Sequence, residues 1–120
     1  MRFIPRRRRK ALEVDYFTTS WKQLQSNCAT RKTWTQAIID ADDLVDEALT
    51  LSRYKGKTTG ERLVAAQHTL TSNDKVWAAH KLRNRIEHAE VDVRKLKKKD
   101  MMNALVGFRE ALRDLGALES

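Results

Sequence analysis

Apolar residues recur at spacings of three and four along most of this chain, a pattern typical of amphipathic helices. The pattern predicts helices at residues 11–29 and at about 33–52, followed by a shorter helix at about 61–70. Residues 53–60 are rich in turn-forming residues and are predicted to form the loop between the second and third helices. Two more helices are predicted to complete the chain.

The last two predicted helices have recognisable ends. Ser72 or Asn73 can cap the fourth helix, which carries residues 83–88 near its end. Asp100 can cap the fifth helix, and Gly116 stands where a helix commonly ends in a left-handed residue. A strongly basic stretch separates the two helices.

The apolar stripes define an expected core. The residues expected to face inward are Leu12, Tyr16, Phe17, Trp21, Leu24 and Cys28 in the first helix, Trp34, Ala37, Ile38, Ala41, Leu44, Val45, Ala48 and Leu49 in the second, and Met101, Leu105, Phe108, Leu112 and Leu115 in the last. The acidic residues of the second helix, expected mostly on its solvent side, are Asp40, Asp42, Asp43, Asp46 and Glu47. With one proline and four glycines, the chain is predicted to be an all-α, up-and-down bundle of four main helices plus one short helix.

The net charge of +8 is concentrated in two segments. Residues 1–10 contain six basic side chains, Arg2, Arg6, Arg7, Arg8, Arg9 and Lys10, and residues 94–99 contain five, Arg94, Lys95, Lys97, Lys98 and Lys99. Of the 24 basic side chains, 13 then remain against 16 acidic ones, so the rest of the chain is mildly acidic. We therefore predict a flexible basic arm at residues 1–10 and a single helical domain at residues 11–118.

Composition disfavours several classes of protein. No apolar run approaches the roughly 20 residues that span a bilayer, and no apolar segment follows the basic start as in a signal peptide. The lone Cys28 cannot form an internal disulfide, which favours a cytoplasmic location. His80 and His88 lie about 12 Å apart along one helix axis, too far to share a metal ion. The string GKTTGE has Leu51 where a phosphate-binding loop needs glycine, so we expect neither a metal nor a cofactor.

Residues 83–88, RNRIEH, carry the most distinctive chemistry. On a helix, Asn84 and His88 share one face, and Arg83 and Glu87 share a neighbouring one. Arginine offers a fixed fork of donors to phosphate oxygens, and histidine can accept or donate a proton near neutral pH. With Asn84 as the orienting group, these residues would cleave RNA by attack of its own 2′-hydroxyl, a reaction that DNA does not support.

The same residues resemble a known family. An arginine, a polar residue and then a histidine in a small helical bundle are similar to the HEPN superfamily (higher eukaryotes and prokaryotes nucleotide-binding), with Arg83, Asn84 and His88 as the matching positions. The strings VWAAHKLRNRIEHAE and MMNALVGFREALRDLGAL also look like small bacterial HEPN-like domains, so the likeness covers residues 11–118. It implies a homodimer whose motif helices form a composite, metal-independent endoribonuclease site. Many members are toxins, which implies an antitoxin or other protein partner, and others only bind or assemble.

Other interpretations of this segment stay open. Glu87 stands where similar domains often have a small apolar residue, and its charge beside His88 would oppose the approach of phosphate. No tyrosine follows His88 by two residues, so the variant in which a partner enzyme modifies that tyrosine is not supported. Arg83 and Glu87 can equally form a surface ion pair, His88 can stabilise a helix end, and Asn84 can fix the helix register.

The two basic segments are the expected RNA-binding surface. Residues 94–99 can follow an RNA backbone with strong salt dependence, or can form a solvated connector. Residues 6–9 can bind nucleic acid, keep the chain soluble, or lie at the inner face of a membrane. Trp21, Trp34 and Trp77 fall on apolar stripes and are interpreted as core residues. The alternative function is a non-catalytic dimerisation or interaction module that contacts a membrane surface only through the arm.

Overall fold

The computed structural model describes residues 11–119, which form five α-helices. The helices are α1 Val14–Gln25, α2 Trp34–Leu51, α3 Thr59–Ala65, α4 Asn73–Glu87 and α5 Lys98–Asp114, and 3-10 turns lie at Ser26–Cys28, Arg31–Thr33 and Val93–Lys95. These 109 described positions contain no strand, so the predicted all-α bundle of four main helices and one short helix is confirmed. The predicted arm, residues 1–10, lies outside the described residues.

Contacts at both ends of α1 and α2 show that these helices are antiparallel. The hydroxyl of Tyr16, near the start of α1, donates to Glu47 near the end of α2, at 2.8 Å. At the other end, the indole N–H of Trp34 donates to the carbonyl of Cys28, at 3.0 Å. The two 3-10 turns therefore reverse the chain within a short distance.

The other main helices alternate in the same way. Lys75 in the first turn of α4 pairs with Glu110 near the end of α5, at 3.2 Å, so these two helices are antiparallel. Tyr54, just after α2, bonds to Thr69, just before α4, at 2.7 Å. At the other end of this pair, Arg31, which precedes α2, donates to the carbonyl of Leu96, which follows α4, at 2.6 Å. Helices α2 and α4 are therefore also antiparallel.

The core is built around α2, which packs against all four other α-helices. Ile38, Val45 and Leu49 of α2 are fully buried between Phe17 of α1 and Phe108 of α5 within one apolar cluster. Trp21 and Trp34 are buried and Trp77 is half-buried against the same cluster, which agrees with their interpretation as core residues. Within residues 11–119, no helix is long and apolar enough to cross a membrane.

Two residues differ from the predicted faces. Tyr16 was expected in the core, but 47% of its surface is exposed, because its hydroxyl reaches Glu47 at the rim of the helix pair. Asp42 was grouped with the solvent-facing carboxylates, but it is fully buried. The other acidic residues of α2 are half-buried or exposed, as expected.

Several helix ends also differ from the predictions. α1 ends at Gln25, before the predicted end at Ala29, where the Ser26 hydroxyl donates to the carbonyl of Gln23 and competes with helix continuation. α3 begins earlier than predicted because Thr58 caps it, accepting a bond from the backbone N–H of Glu61 at 3.1 Å. α3 then ends at Ala65, short of the predicted end at Leu70.

The predicted caps of the last two helices behave differently from one another. Ser72 occupies the cap position of α4 without a side-chain bond there, while the Asn73 amide donates to the carbonyls of the preceding turn. Asp100 is not the cap of α5; it lies in the first turn and accepts a bond from the N–H of Lys97. Gly116 ends α5 with a φ of +81°, as predicted.

Candidate functional site

Arg83 lies on α4 at the centre of a cluster of carboxylates, with only 13% of its side chain exposed. One guanidinium nitrogen, Nη1, donates to the buried Asp42 of α2. The other, Nη2, contacts Asp43 at 3.0 Å and Glu87 at 2.9 Å. The predicted ion pair between Arg83 and Glu87 is thus present, within a larger group that joins α4 to α2.

His80 shares the carboxylate of Asp42 with Arg83. Its Nδ1 lies 3.0 and 3.1 Å from the two carboxylate oxygens, so that nitrogen carries a proton and donates it. Its Nε2 lies 3.3 Å from the amide nitrogen of Asn84, which donates to it. Both ring nitrogens of His80 therefore have a polar partner. Asn84 therefore orients His80, not His88.

The cluster carries an excess of negative charge. Burial of the guanidinium acts to lower the pKa of Arg83, but hydrogen bonds to Glu87 and Asp42 outweigh it and raise this pKa above its ordinary value. Arg83 is therefore a permanent cation, and it faces three carboxylates. A phosphate that approached Arg83 in a single chain would meet this excess of negative charge, which opposes binding.

His88 stands apart from the cluster. It is the cap residue at the end of α4 and is exposed, and Ala89 follows it with a φ of +55° as the chain turns away. No described residue forms a hydrogen bond or ion pair with its ring. The structure thus brings Arg83 and Asn84 into one cluster and leaves His88 free at the helix end. The catalytic assignment of the three residues stays a prediction.

The connector between α4 and α5 presents the second predicted site. The five basic residues predicted to bind RNA, Arg94, Lys95, Lys97, Lys98 and Lys99, are all exposed. Between them, Leu96 is buried in the core cluster, and Asp92 accepts a bond from the N–H of Arg94 at 3.0 Å. The connector is therefore attached to the domain and presents its cations outward. Arg6, Arg7, Arg8 and Arg9 of the predicted RNA-binding arm lie outside the described residues.

One residue from another part of the chain joins this connector. Arg31, in the turn before α2, donates through Nη1 to the carbonyls of Arg94 at 3.0 Å and Leu96 at 2.6 Å. Its guanidinium also lies over the ring of Trp34, 4.7 Å from the ring centre. The basic surface therefore comprises residues 94–99 together with Arg31 and its exposed neighbour Lys32.

Comparisons with protein-family models, curated proteins and solved structures gave no match for this chain. Among the described residues, no three or more histidine, cysteine, aspartate or glutamate side chains come together in a way that could hold a metal ion.

Proposed function

We propose that the protein binds RNA through the basic surface where α4 ends and α5 begins. The observation that carries this proposal is a group of exposed lysines that pair with no acidic side chain among the described residues. They are Lys95, Lys97, Lys98 and Lys99. Arg94 is the member of the group with an ion pair, to Asp92 at 3.3 Å. Closely spaced, unpaired cations attract a polyanion because its binding releases condensed counterions.

The HEPN resemblance makes RNA the polyanion we favour, and it also suggests a homodimer. In that arrangement the faces of α4 that bear Arg83, Asn84 and His88 would meet, and two basic surfaces would lie on one assembly. The exposure of His88 and partial exposure of Asn84 are compatible with such a face. An antitoxin or other protein partner would bind the same assembly.

Metal-independent RNA cleavage is the second candidate, and the free, exposed ring of His88 favours it. A general acid or base must reach the reacting oxygen, and this imidazole is exposed and bonds to no side chain within residues 11–119. The position of Arg83 is less favourable, because both of its terminal nitrogens already bond to carboxylates. Cleavage would require the partner chain of a dimer to displace some of these bonds. We therefore expect RNA binding without cleavage.

Replacing Lys97, Lys98 and Lys99 with alanine tests the binding surface. We expect the Kd for a 20-nucleotide RNA to rise about tenfold at 0.15 M salt, and the slope of log Kd against log salt to fall by about two, because up to three phosphate contacts are lost. Fluorescence anisotropy over a salt series measures both quantities.

A charge-matched variant separates this surface from net charge. Replacing the exposed Lys55, Lys57 and Lys81 with alanine removes the same charge outside the connector and should change the Kd by less than about twofold. Equal losses in the two triple variants would contradict a defined site. Binding to anionic lipid vesicles, with no binding to RNA, would instead support the membrane-associated interaction module.

Cleavage is tested by incubating mixed structured and single-stranded RNA with the protein in EDTA at about pH 7. We expect intact RNA from the wild-type protein, for the reason given for Arg83. Cleavage that is abolished by both Arg83→Ala and His88→Ala, with the fold intact by circular dichroism, would establish the ribonuclease instead. Cleavage indifferent to both changes would indicate a contaminating enzyme.

A further inference from the structure

We infer that Arg31 is a positioning residue of the RNA-binding surface and holds the connector between α4 and α5 in its binding conformation. This inference rests on the proposed function. Arg31 precedes Arg94 and Leu96 by 63 and 65 positions, yet its Nη1 donates to the carbonyls of both connector residues. These carbonyls flank Lys95, and the second one immediately precedes Lys97. Arg31 thus fixes the main chain on which the unpaired lysines stand.

The geometry indicates that Arg31 holds the connector in place (the Arg31 clamp) and does more than add one positive charge to the surface. Although Arg31 is exposed, its guanidinium contacts both the connector carbonyls and the ring of Trp34, and the indole of Trp34 itself donates to the carbonyl of Cys28. A planar guanidinium can stack on a ring and donate in its own plane at the same time. A lysine ammonium at this position would keep the charge but lacks the planar group that stacks on the ring of Trp34 while it donates.

Holding the connector matters because ordering a chain segment opposes binding. Ten residues separate the end of α4 from the start of α5, and the contacts that hold them include the buried Leu96, the Asp92 cap and Arg31. If the clamp is lost, the lysines keep their charge, but the RNA must order the segment that carries them. Fewer lysines would then contact phosphates together.

Arg31→Lys tests this role with the net charge unchanged. We expect the Kd for the 20-nucleotide RNA to rise about fivefold and the slope of log Kd against log salt to fall by about one. Amide hydrogen exchange in residues 93–97 should become faster, while exchange in α2 stays unchanged. A residue that supports only overall stability would leave the salt slope of the folded protein at its wild-type value.

Two further variants make the result decisive. Arg109→Lys, at an exposed position of α5 about 15 Å along the helix from Lys99, is the matched control and should bind like the wild type. Arg31→Gln, which keeps one donor group but no charge, should also speed amide hydrogen exchange in residues 93–97.

If Arg31→Lys has the wild-type Kd, the wild-type salt slope and wild-type exchange rates, the inference is overturned and the proposed function stands. Unfolding of both Arg31 variants would overturn it too, by showing that Arg31 supports the whole fold. If the wild-type protein does not bind RNA, the proposed function fails and the inference falls with it.

Discussion

Replacing Asp42 with alanine is expected to lower the free energy of unfolding by about 3–5 kcal/mol. Asp42 is fully buried and is the shared acceptor of His80 and Arg83. Without it, His80 loses the acceptor for its Nδ1–H, and the guanidinium of Arg83 loses its buried counter-charge. An unpaired polar group inside a domain costs much more free energy than a weakened bond at its surface.

The exposed neighbour Asp43 provides the control. Asp43 pairs with the same guanidinium as Asp42, at 3.0 Å, but 60% of its side chain is exposed. Water therefore replaces the bond, and Asp43→Ala should cost no more than about 1 kcal/mol. Urea denaturation followed by circular dichroism measures both values. Similar losses for the two variants would show that burial does not govern the strength of this cluster.

The size of the expected loss has a practical consequence. A domain of this length is typically stable by about 5–15 kcal/mol, so Asp42→Ala would remove a large part of the total. The melting temperature should fall by roughly 12–20 °C, taking about 4 °C for each kcal/mol. Asp42→Asn keeps an acceptor for one donor and should lie between alanine and the wild type.

The burial of Asp42 was visible in the sequence only in part. Asp42 lies four residues after Ile38, three before Val45 and seven before Leu49, so it shares their face of α2. Spacing alone places it in the core. A carboxylate among apolar residues is nevertheless assigned to solvent unless a partner is known. Its partner His80 lies 38 positions away, and no local pattern connects them.

The same distinction between local and distant contacts explains which other features of the structure could be predicted from the sequence. The five helices and the left-handed Gly116 depend on neighbours in sequence and were predicted from local patterns. The pair of Arg83 with Glu87, also local, was one of the alternatives that their spacing allowed. The contact of Arg31 with the connector joins residues 63 and 65 positions apart, and no spacing rule predicts it. The segment 83–88 was interpreted as one site, but the packing of α4 on α2 separates Arg83 from His88.

Replacing Gly107 with alanine is the second substitution with a large expected effect. Gly107 is buried on α5, where a Cβ atom would lie 2.6 Å from the carbonyl oxygen of Lys75 and 2.8 Å from its carbonyl carbon. Both atoms belong to the backbone of α4, which cannot rotate away as a side chain can. The helices would have to separate locally, and we expect a net loss of about 2–3 kcal/mol. This loss is larger than the roughly 1 kcal/mol by which alanine, compared with glycine, stabilises a helix.

Gly60→Ala is the matched control for that substitution. At Gly60, within α3, the nearest atom to an added Cβ is 3.5 Å away and belongs to the side chain of Trp77, so the methyl group fits. Urea denaturation should show Gly60→Ala to be neutral or stabilised by up to about 1 kcal/mol. If Gly107→Ala is as stable as Gly60→Ala, the close approach of α4 and α5 is not required by the fold. The expected contrast would instead show that backbone contact sets the spacing of these two helices.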